Sequence, residues 1–159
     1  MNIRRAQNRD IPGMIALLYQ VGGVHHHIRP DIFCSGALKY DESALEMLLL
    51  DETKPIFVAD DDGFVAGYCF CQIRSYCGST VLTDRKELYI DDLCVDEAAR
   101  GKGVATALFR YVTDTAKAAG ATFITLNVWQ GNSALQFYEK MGMKPRKVFM
   151  DLPLEETKC

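Results

Sequence analysis

The run Glu87-Leu88-Tyr89-Ile90-Asp91-Asp92-Leu93-Cys94-Val95, followed shortly by Arg100-Gly101-Lys102-Gly103-Val104-Ala105, decides how this sequence folds. The first run is rich in strand-forming residue types. After the second run, apolar residues recur at helical spacing as far as Ala119, and Gly120 offers a stop. A strand that leads through a glycine turn into a helix is typical of phosphate sites, because the first helical turn has unpaired N–H groups and roughly +0.5 charge. We therefore predict that residues 100–105 hold a phosphorylated ligand.

Three phosphate-binding motifs were compared with this turn. A P-loop requires Lys and then Ser or Thr after its last glycine, and Val104 stands there instead. A dinucleotide fingerprint requires a third glycine and a later acidic residue, but residues 121–138 contain no Asp or Glu. The pattern R-x-x-G-x-[GA] is matched in full by Arg100, Gly103 and Ala105.

This turn resembles that of the GCN5-related N-acetyltransferases, the GNAT family, in which it cradles the pyrophosphate of acetyl-coenzyme A. The resemblance implies acetyl-CoA as a cosubstrate, with backbone groups of the preceding strand bound to its pantetheine arm. The coenzyme-binding residues implied in this way are Leu93, Cys94, Val95, Arg100, Gly101, Lys102, Gly103, Val104 and Ala105.

The remaining segments predict a single α/β domain. We expect strands at 2–6, 56–59, 64–76, 87–95 and 122–129, with a last strand that begins near Pro145 and runs through 148–150. We expect helices at 11–21, 41–50, 103–119 and 133–141. This order resembles the GNAT fold, which implies a mixed sheet of about six or seven strands, about four helices and a splayed strand pair that forms the acetyl-CoA slot. The domain is expected to span residues 1–155, with a short tail at 156–159.

Composition excludes several other classes of protein. Among the 159 residues, 48% are hydrophobic and 25% charged, as in ordinary globular proteins. The formal charge of −3 gives no reason to expect nucleic-acid binding, and no apolar stretch approaches the ~18 residues of a membrane helix. The six cysteines contain no C-x-x-C pair, which favours reduced thiols and a cytoplasmic location.

Tyr138 is the predicted general acid. A lysine-like amine of pKa ~10.4 costs about 4.6 kcal/mol to deprotonate at pH 7, so transfer to an amine needs a base, and the departing thiolate needs a proton. Phe137, Tyr138 and Gly142 resemble the family's F-Y-x-x-x-G segment, whose tyrosine lies beside the coenzyme sulfur. The alternative is a tyrosine that only packs its ring. Asn132 is expected either to contact the coenzyme or only to cap the helix.

Asp91 and Asp92 are adjacent carboxylates in an otherwise apolar strand. Strand alternation sends them to opposite faces unless a bulge intervenes, and the family's strand bulges at this point. The segment Ile90–Leu93 resembles the polyamine-type acetyltransferases, which implies a water-bound carboxylate at Asp91. We predict Asp91 as the base and Asp92 as its neighbour on the substrate side. The alternative for both is a solvated edge or a cap.

The segment after the first helix is predicted to shape the acceptor pocket. It is interpreted as a polar loop that contains His25–His27, and its substrate-side candidates are His26, Arg29 and Phe33. No metal site is predicted, because neighbouring loop residues rarely present three ligands to one ion. A covalent route through Cys94 is disfavoured, since no histidine follows it in the chain.

The sequence therefore predicts direct acetyl transfer from acetyl-CoA to a small primary amine, such as a polyamine or an amino acid. The resemblance to the family implies a homodimer. The alternatives are a protein N-terminus or lysine as the acceptor, and a non-catalytic module that only binds acyl-CoA.

Overall fold

A computed structural model describes residues 1–154, which form a five-stranded mixed sheet with helices on both faces. The strands are β1 (Asn2–Arg5), β2 (Ile56–Asp61), β3 (Phe64–Tyr76), β4 (Arg85–Val95) and β5 (Phe123–Leu126). The helices are α1 (Ile11–Ile28), α2 (Glu42–Leu49), α3 (Val104–Ala118) and α4 (Ala134–Lys140). The strands lie in sequence order across the sheet, with β1 to β4 antiparallel and β5 parallel to β4. The α/β class and the four helices are thus confirmed.

The sheet separates two hydrophobic cores. On one face, α3 packs against residues such as Cys69, Leu88 and Tyr138. On the other face, α1 and α2 cover a second set that includes Tyr68 and Cys94. The two cores contain alternate residues of β3 and β4, as strand geometry requires.

Gly67 allows α3 to approach the sheet closely. A Cβ atom built at Gly67 would lie 2.9 Å from the Cys94 carbonyl oxygen and 3.2 Å from the side chains of Val104 and Leu108. Because a protein core has little spare volume, any larger residue here would push the start of α3 away from β4. The distance between the glycine turn and β4 therefore depends on this position.

The predicted sheet of six or seven strands is wrong for the described residues, which contain five. Residues 148–150, predicted as a last strand, lie outside any strand, and β5 is shorter than the predicted 122–129. A strand requires a hydrogen-bonded neighbour, and the described chain provides none for this segment. The predicted tail at 156–159 lies outside the described residues.

The first helix is longer than predicted. It continues beyond residue 21 to Ile28, so His25, His26 and His27 lie in its last turn and not in a loop. Gly22 and Gly23 weaken the helical pattern in the sequence, but tertiary packing outweighs this modest cost. Within residues 1–154, no helix is both long enough and apolar enough to span a bilayer.

Candidate active site

β4 and β5 separate halfway along β4. Their pairing covers only Glu87–Ile90 of β4, opposite Phe123–Leu126, whereas β4 continues to Val95. Beyond Ile90, β4 has β3 on one side and no described strand on the other. A strand edge of this kind exposes backbone N–H and C=O groups that can pair with an amide-containing ligand. The pairing of β4 with β5 thus ends where the splayed pair was predicted, and residues 93–95 lie beyond this end.

The glycine turn lies at the end of β4, next to this opening. Gly101 and Gly103 have φ angles of +75° and +81°, which favour glycine strongly. Val104 begins α3, whose first turn contains no acidic residue. The Arg100 Nε atom donates to the Val95 carbonyl oxygen at 3.3 Å, and this bond connects the turn to the strand.

These features fit the diphosphate of a coenzyme. Lys102 is exposed in the turn, and the unpaired N–H groups of the first turn of α3 favour an anion. Ala105 is half-buried in that first turn. The six predicted residues of the turn thus lie between the end of β4 and the start of α3, as the sequence predicts.

Tyr138 lies at the same opening, with its ring buried beside Phe109 and Phe137. Its hydroxyl has no hydrogen-bond partner among residues 1–154. Every fully enclosed side-chain oxygen of the described chain has such a partner, so the Tyr138 hydroxyl is not fully enclosed. The hydroxyl oxygen is therefore open to accessible space. Burial, and next the nearby Cys69 and Asp92, raise the pKa of Tyr138, so the hydroxyl keeps its proton at neutral pH.

A β-bulge brings Asp91 and Asp92 to the same face of the sheet. Ile90 pairs with Cys71 and Asp92 pairs with Phe70, so Asp91 is the extra residue in β4. The hydrogen-bond partners of the two carboxylates lie on one face of the sheet. Asp91 contacts Tyr40 and Asp92 contacts Tyr68, and both tyrosines belong to the core on the α1 and α2 side. The predicted bulge is confirmed, and it places two carboxylates side by side.

The two carboxylates have different surroundings. The Asp91 Oδ2 atom accepts from Lys39 Nζ at 2.7 Å and from the Tyr40 hydroxyl at 3.0 Å. The Asp92 Oδ2 atom accepts from the Tyr68 hydroxyl at 3.1 Å. Burial raises the pKa of Asp92 to about 6, with Asp91 adding to this effect and Lys39 and Tyr68 opposing it. Asp92 therefore changes its protonation close to neutral pH.

A cavity of about 240 Å³ opens beside Asp91. Its lining includes the rings of Tyr40 and Phe70, which stack with centroids 5.5 Å apart, together with Gln72 and Lys54. A cavity with aromatic walls and one carboxylate suits an ammonium group on an apolar stem.

The predicted acceptor residues form a second group at the end of α1. The His26 Nδ1 atom lies 2.6 Å from the Phe33 carbonyl oxygen, and the Phe33 ring packs edge-on against Trp129 at 5.2 Å. Arg29 lies over the Trp129 ring at 5.7 Å and pairs with Asp31. His26, Arg29 and Phe33 are thus brought together, and Trp129 joins them from the segment after β5.

Lys39 links this group to the carboxylate pair, because its ammonium pairs with Asp91 and also acts on His25. Burial, and next the ammonium of Lys39, lower the pKa of His25, whose ring lies 5.0 Å from that of Phe33. Within residues 1–154 no three His, Cys, Asp or Glu side chains are grouped to hold a metal ion.

Two predicted coenzyme contacts have local roles. The Cys94 thiol points to the α1 side, where it donates to the Leu17 carbonyl oxygen at 3.6 Å. Burial raises its pKa to about 12, so a thiolate there is unfavourable. The N-cap of α4 is Ser133, so the predicted cap at Asn132 lies one residue too early. The Asn132 Oδ1 atom accepts from the N–H of Ala134, the first residue of α4, at 2.9 Å, and the contact of its amide with the coenzyme stays a prediction.

Sequence reasoning missed Lys39, Tyr40, Tyr68, Phe70 and Trp129 as site residues. The only signal was the aromatic pair Tyr68 and Phe70, two residues apart in a strand. Lys39 and Tyr40 show no motif, since only the fold brings them to Asp91.

The family model for acetyltransferases of the GNAT family matches residues 24–143, which include the turn, the splayed strands and Tyr138. This chain belongs to the GNAT family of acetyltransferases. Members of the family use acetyl-CoA and act on amine acceptors. Over 57 residues, this chain is 35% identical to the chloroplastic GCN5-related N-acetyltransferase 6 of Arabidopsis thaliana. That match covers 35% of this chain and spans 20% of the length of the curated relative.

Solved structures with a similar fold cover nearly the whole length of this chain. A mutant of the BH1408 protein from Bacillus halodurans is 31% identical, with a TM-score of 0.93 and coverage of 98% of this chain and 100% of its own. An aminoglycoside N-acetyltransferase, AAC(6')-Iy, solved in complex with CoA, is 15% identical with a TM-score of 0.72. It covers 97% of this chain and 99% of its own, and at this identity it shows the fold alone.

Proposed function

We propose that this protein transfers the acetyl group of acetyl-CoA directly to a small, cationic primary amine of the polyamine type. The observation that carries the proposal is the pair Asp91 and Asp92, turned to one face by the bulge, of which Asp91 already holds an ammonium group. Tyr138 belongs to the α3-side core, on the other face of the sheet from Tyr40 and Tyr68, and its hydroxyl is close enough to Asp92 for this carboxylate to raise its pKa.

The donor side is assigned to the opening at the end of β4. The turn 100–105 and the start of α3 would hold the diphosphate, because glycines and unpaired N–H groups suit an anion. The open edge at Leu93, Cys94 and Val95 would pair with the amide groups of the pantetheine arm. Acetyl-CoA supplies an activated acetyl thioester.

Tyr138 and the carboxylate pair divide the proton transfers. The Tyr138 hydroxyl, which stays protonated at neutral pH, donates a proton to the departing thiolate. Asp91, predicted from the sequence as the base, binds the incoming ammonium. The base role passes in this proposal to its neighbour Asp92, whose pKa of about 6 lets it accept the proton from the amine. A base of this pKa is mostly ionised at pH 7 and still accepts a proton.

Direct transfer is favoured over a covalent route through Cys94. The Cys94 thiol is hydrogen-bonded on the α1 face, and its raised pKa removes the thiolate that a nucleophile needs.

Thiol release from acetyl-CoA, measured over a panel of amines, tests the proposal. The panel includes diamines and longer polyamines, amino acids, a lysine peptide and a peptide with a free N-terminus. We expect turnover with the diamines and polyamines and much less with either peptide. Preferential turnover of a peptide would show that the acceptor is a protein amine and not a small molecule. Binding of acetyl-CoA with no thiol release on any amine would show that the protein is a non-catalytic binding module.

A further inference from the structure

Tyr68 is the largest fully buried side chain of the described residues. It belongs to the core on the α1 and α2 side, where its ring meets the Phe70 ring edge-on at a centroid distance of 4.7 Å. A phenylalanine would fill nearly the same space, whereas a buried hydroxyl costs free energy unless it is hydrogen-bonded. The hydroxyl at this position therefore indicates a role besides packing.

The Tyr68 hydroxyl has Asp92 as its one hydrogen-bond partner within residues 1–154, and it donates to the Oδ2 atom at 3.1 Å. Asp92 pairs with Phe70 across the two strands, and directly paired residues share a face of the sheet, so the bulge also brings Asp92 to Tyr68. Burial, and next the charge of Asp92, raise the pKa of Tyr68 far above its ordinary value. Tyr68 can therefore hold the carboxylate of Asp92 but cannot take a proton from the amine.

We propose that Tyr68 is a positioning residue for Asp92, whose hydrogen bond fixes the direction in which this carboxylate accepts the proton of the amine. This inference rests on the proposed function, in which Asp92 is the base. The last torsion of an aspartate is soft, so a carboxylate without such a partner turns over a wide range. Fixing one oxygen removes this freedom before the amine binds, and a misplacement of about 1 Å can cost about 100-fold in rate.

Tyr40 makes the corresponding contact with the other carboxylate. Its hydroxyl donates to the Asp91 Oδ2 atom at 3.0 Å, and its ring stacks on Phe70, which also contacts Tyr68. Each tyrosine thus donates to one carboxylate of the pair. Tyr40→Phe is therefore the matched control for Tyr68→Phe, because both changes remove one hydroxyl and keep the ring.

The hydrogen bond from Tyr68 also affects the charge of Asp92. Burial and the nearby Asp91 raise the pKa of Asp92, whereas Lys39 and the Tyr68 hydroxyl lower it, so loss of this hydroxyl should raise the pKa further. The core on this side receives apolar residues from α1. The other titratable groups that interact with Asp92 stay in place in Tyr68→Phe, and they are Tyr40, Cys69, Cys94 and Tyr138.

The pH dependence of kcat and kcat/KM for a diamine tests the proposal. In Tyr68→Phe the acidic limb should move from about pH 6 to about pH 7, because the ionised carboxylate loses a hydrogen bond. On the alkaline side of the limb, where Asp92 is ionised in both proteins, kcat should still fall about tenfold, because the carboxylate is no longer held. Tyr40→Phe should keep the limb near pH 6. Circular dichroism checks that both variants fold.

Two further measurements separate the hydrogen bond from the chemistry. Carbon-13 NMR of the Asp92 carboxyl group in the protein without substrate, assigned with Asp92→Asn, should show the same upward shift of about one pH unit in Tyr68→Phe. A fluorotyrosine at position 68 keeps the hydroxyl and makes it a stronger donor. It should therefore retain the kcat of the wild type and move the limb below pH 6.

The outcomes distinguish this role from the proposed function itself. A limb that stays near pH 6 in Tyr68→Phe but is lost in Asp92→Asn would overturn the positioning role and leave Asp92 as the base. A kcat equal to that of the wild type on the alkaline side would do the same. A limb that persists in Asp92→Asn would overturn the proposed base, and the role of Tyr68 with it, whatever the NMR titration shows.

Discussion

The Nζ atom of Lys39 lies 2.7 Å from the Oδ2 atom of Asp91, although the two residues are 52 positions apart in the chain. The Tyr40 hydroxyl donates to the same oxygen at 3.0 Å, and the Lys39 ammonium lies 5.5 Å from the centroid of the Tyr40 ring. The carboxylate at the bulge therefore binds an alkylammonium group in an aromatic setting. On the proposed function, the amine acceptor takes the place of Lys39.

Removing the Lys39 ammonium should improve the apparent affinity for a cationic amine. Both groups of the pair are partly exposed, and such pairs contribute about 0.2–1 kcal/mol, so Lys39→Met should lower the KM for a diamine by up to about fivefold. Steady-state kinetics with saturating acetyl-CoA measures this. Lys39→Arg, which keeps the charge, and Lys54→Met, which removes a charge from the same cavity, should stay near wild type. A higher KM in Lys39→Met would instead assign Lys39 to binding the acceptor.

Asp92→Asn should abolish the acidic limb of the activity profile near pH 6. In the wild type, kcat/KM should fall as the pH drops through about 6, because Asp92 then holds a proton. In Asp92→Asn, activity should be low at every pH and show no such limb, whereas Asp91→Asn should retain it. An intact limb in Asp92→Asn would place the base elsewhere.

The same substitution should raise thermal stability at high pH. The pKa of Asp92 is higher in the folded protein than its ordinary value, so the folded state binds the proton more tightly than the unfolded state. Stability is therefore lost progressively as the pH rises from the ordinary pKa of 3.8 to the folded value of about 6, and the effect is absent only below both values. Asp92→Asn should raise the Tm by roughly 2–4 °C at pH 8 and leave it nearly unchanged at about pH 3. A lower Tm at pH 8 would contradict this assignment.

Tyr138→Phe should reduce kcat by about 100-fold or more, because it removes a proton donor and keeps the ring. The KM for acetyl-CoA should change little, since the ring still packs against Phe109 and Phe137. The control is Tyr111→Phe, whose tyrosine is 40% exposed and packs its ring against Phe57. Unchanged turnover in Tyr138→Phe would exclude this tyrosine as the acid.

Gly103→Ala separates coenzyme binding from backbone strain. At a φ of +81° an alanine costs roughly 1–2 kcal/mol in the free energy of unfolding, and the matched control Gly120→Ala has nearly the same strain at a φ of +72°. Gly120 follows the opposite end of α3. Both variants should lose similar stability in denaturant unfolding, but only Gly103→Ala should raise the KM for acetyl-CoA. Equal values of KM would mean that the turn does not contact the diphosphate.

Much of the fold could be predicted because its signals are local. Asp41 caps α2 through a hydrogen bond to the Ala44 N–H, and Gly103 and Gly120 bound α3, as their residue types indicate. The length of α1 was missed because Gly22 and Gly23 lower helical propensity only modestly, and packing against the sheet decides the outcome. The last predicted strand failed for another reason. Apolar pattern alone describes residues 148–150, but a strand exists only where a partner accepts its hydrogen bonds.

The sequence by itself determined the glycine turn that we propose as the donor side. The strand, the glycine turn and the start of the helix are consecutive in the chain, so the R-x-x-G-x-[GA] motif and its context could be recognised without any tertiary contact. Only the tertiary structure decided the arrangement that we propose as the acceptor side. The register between β3 and β4 makes Asp91 the bulged residue and turns it to the same face as Asp92, and the loop before α2 then brings Lys39 to it. These are relations between distant segments, and their geometry depends on strand pairing and packing, which no short motif encodes.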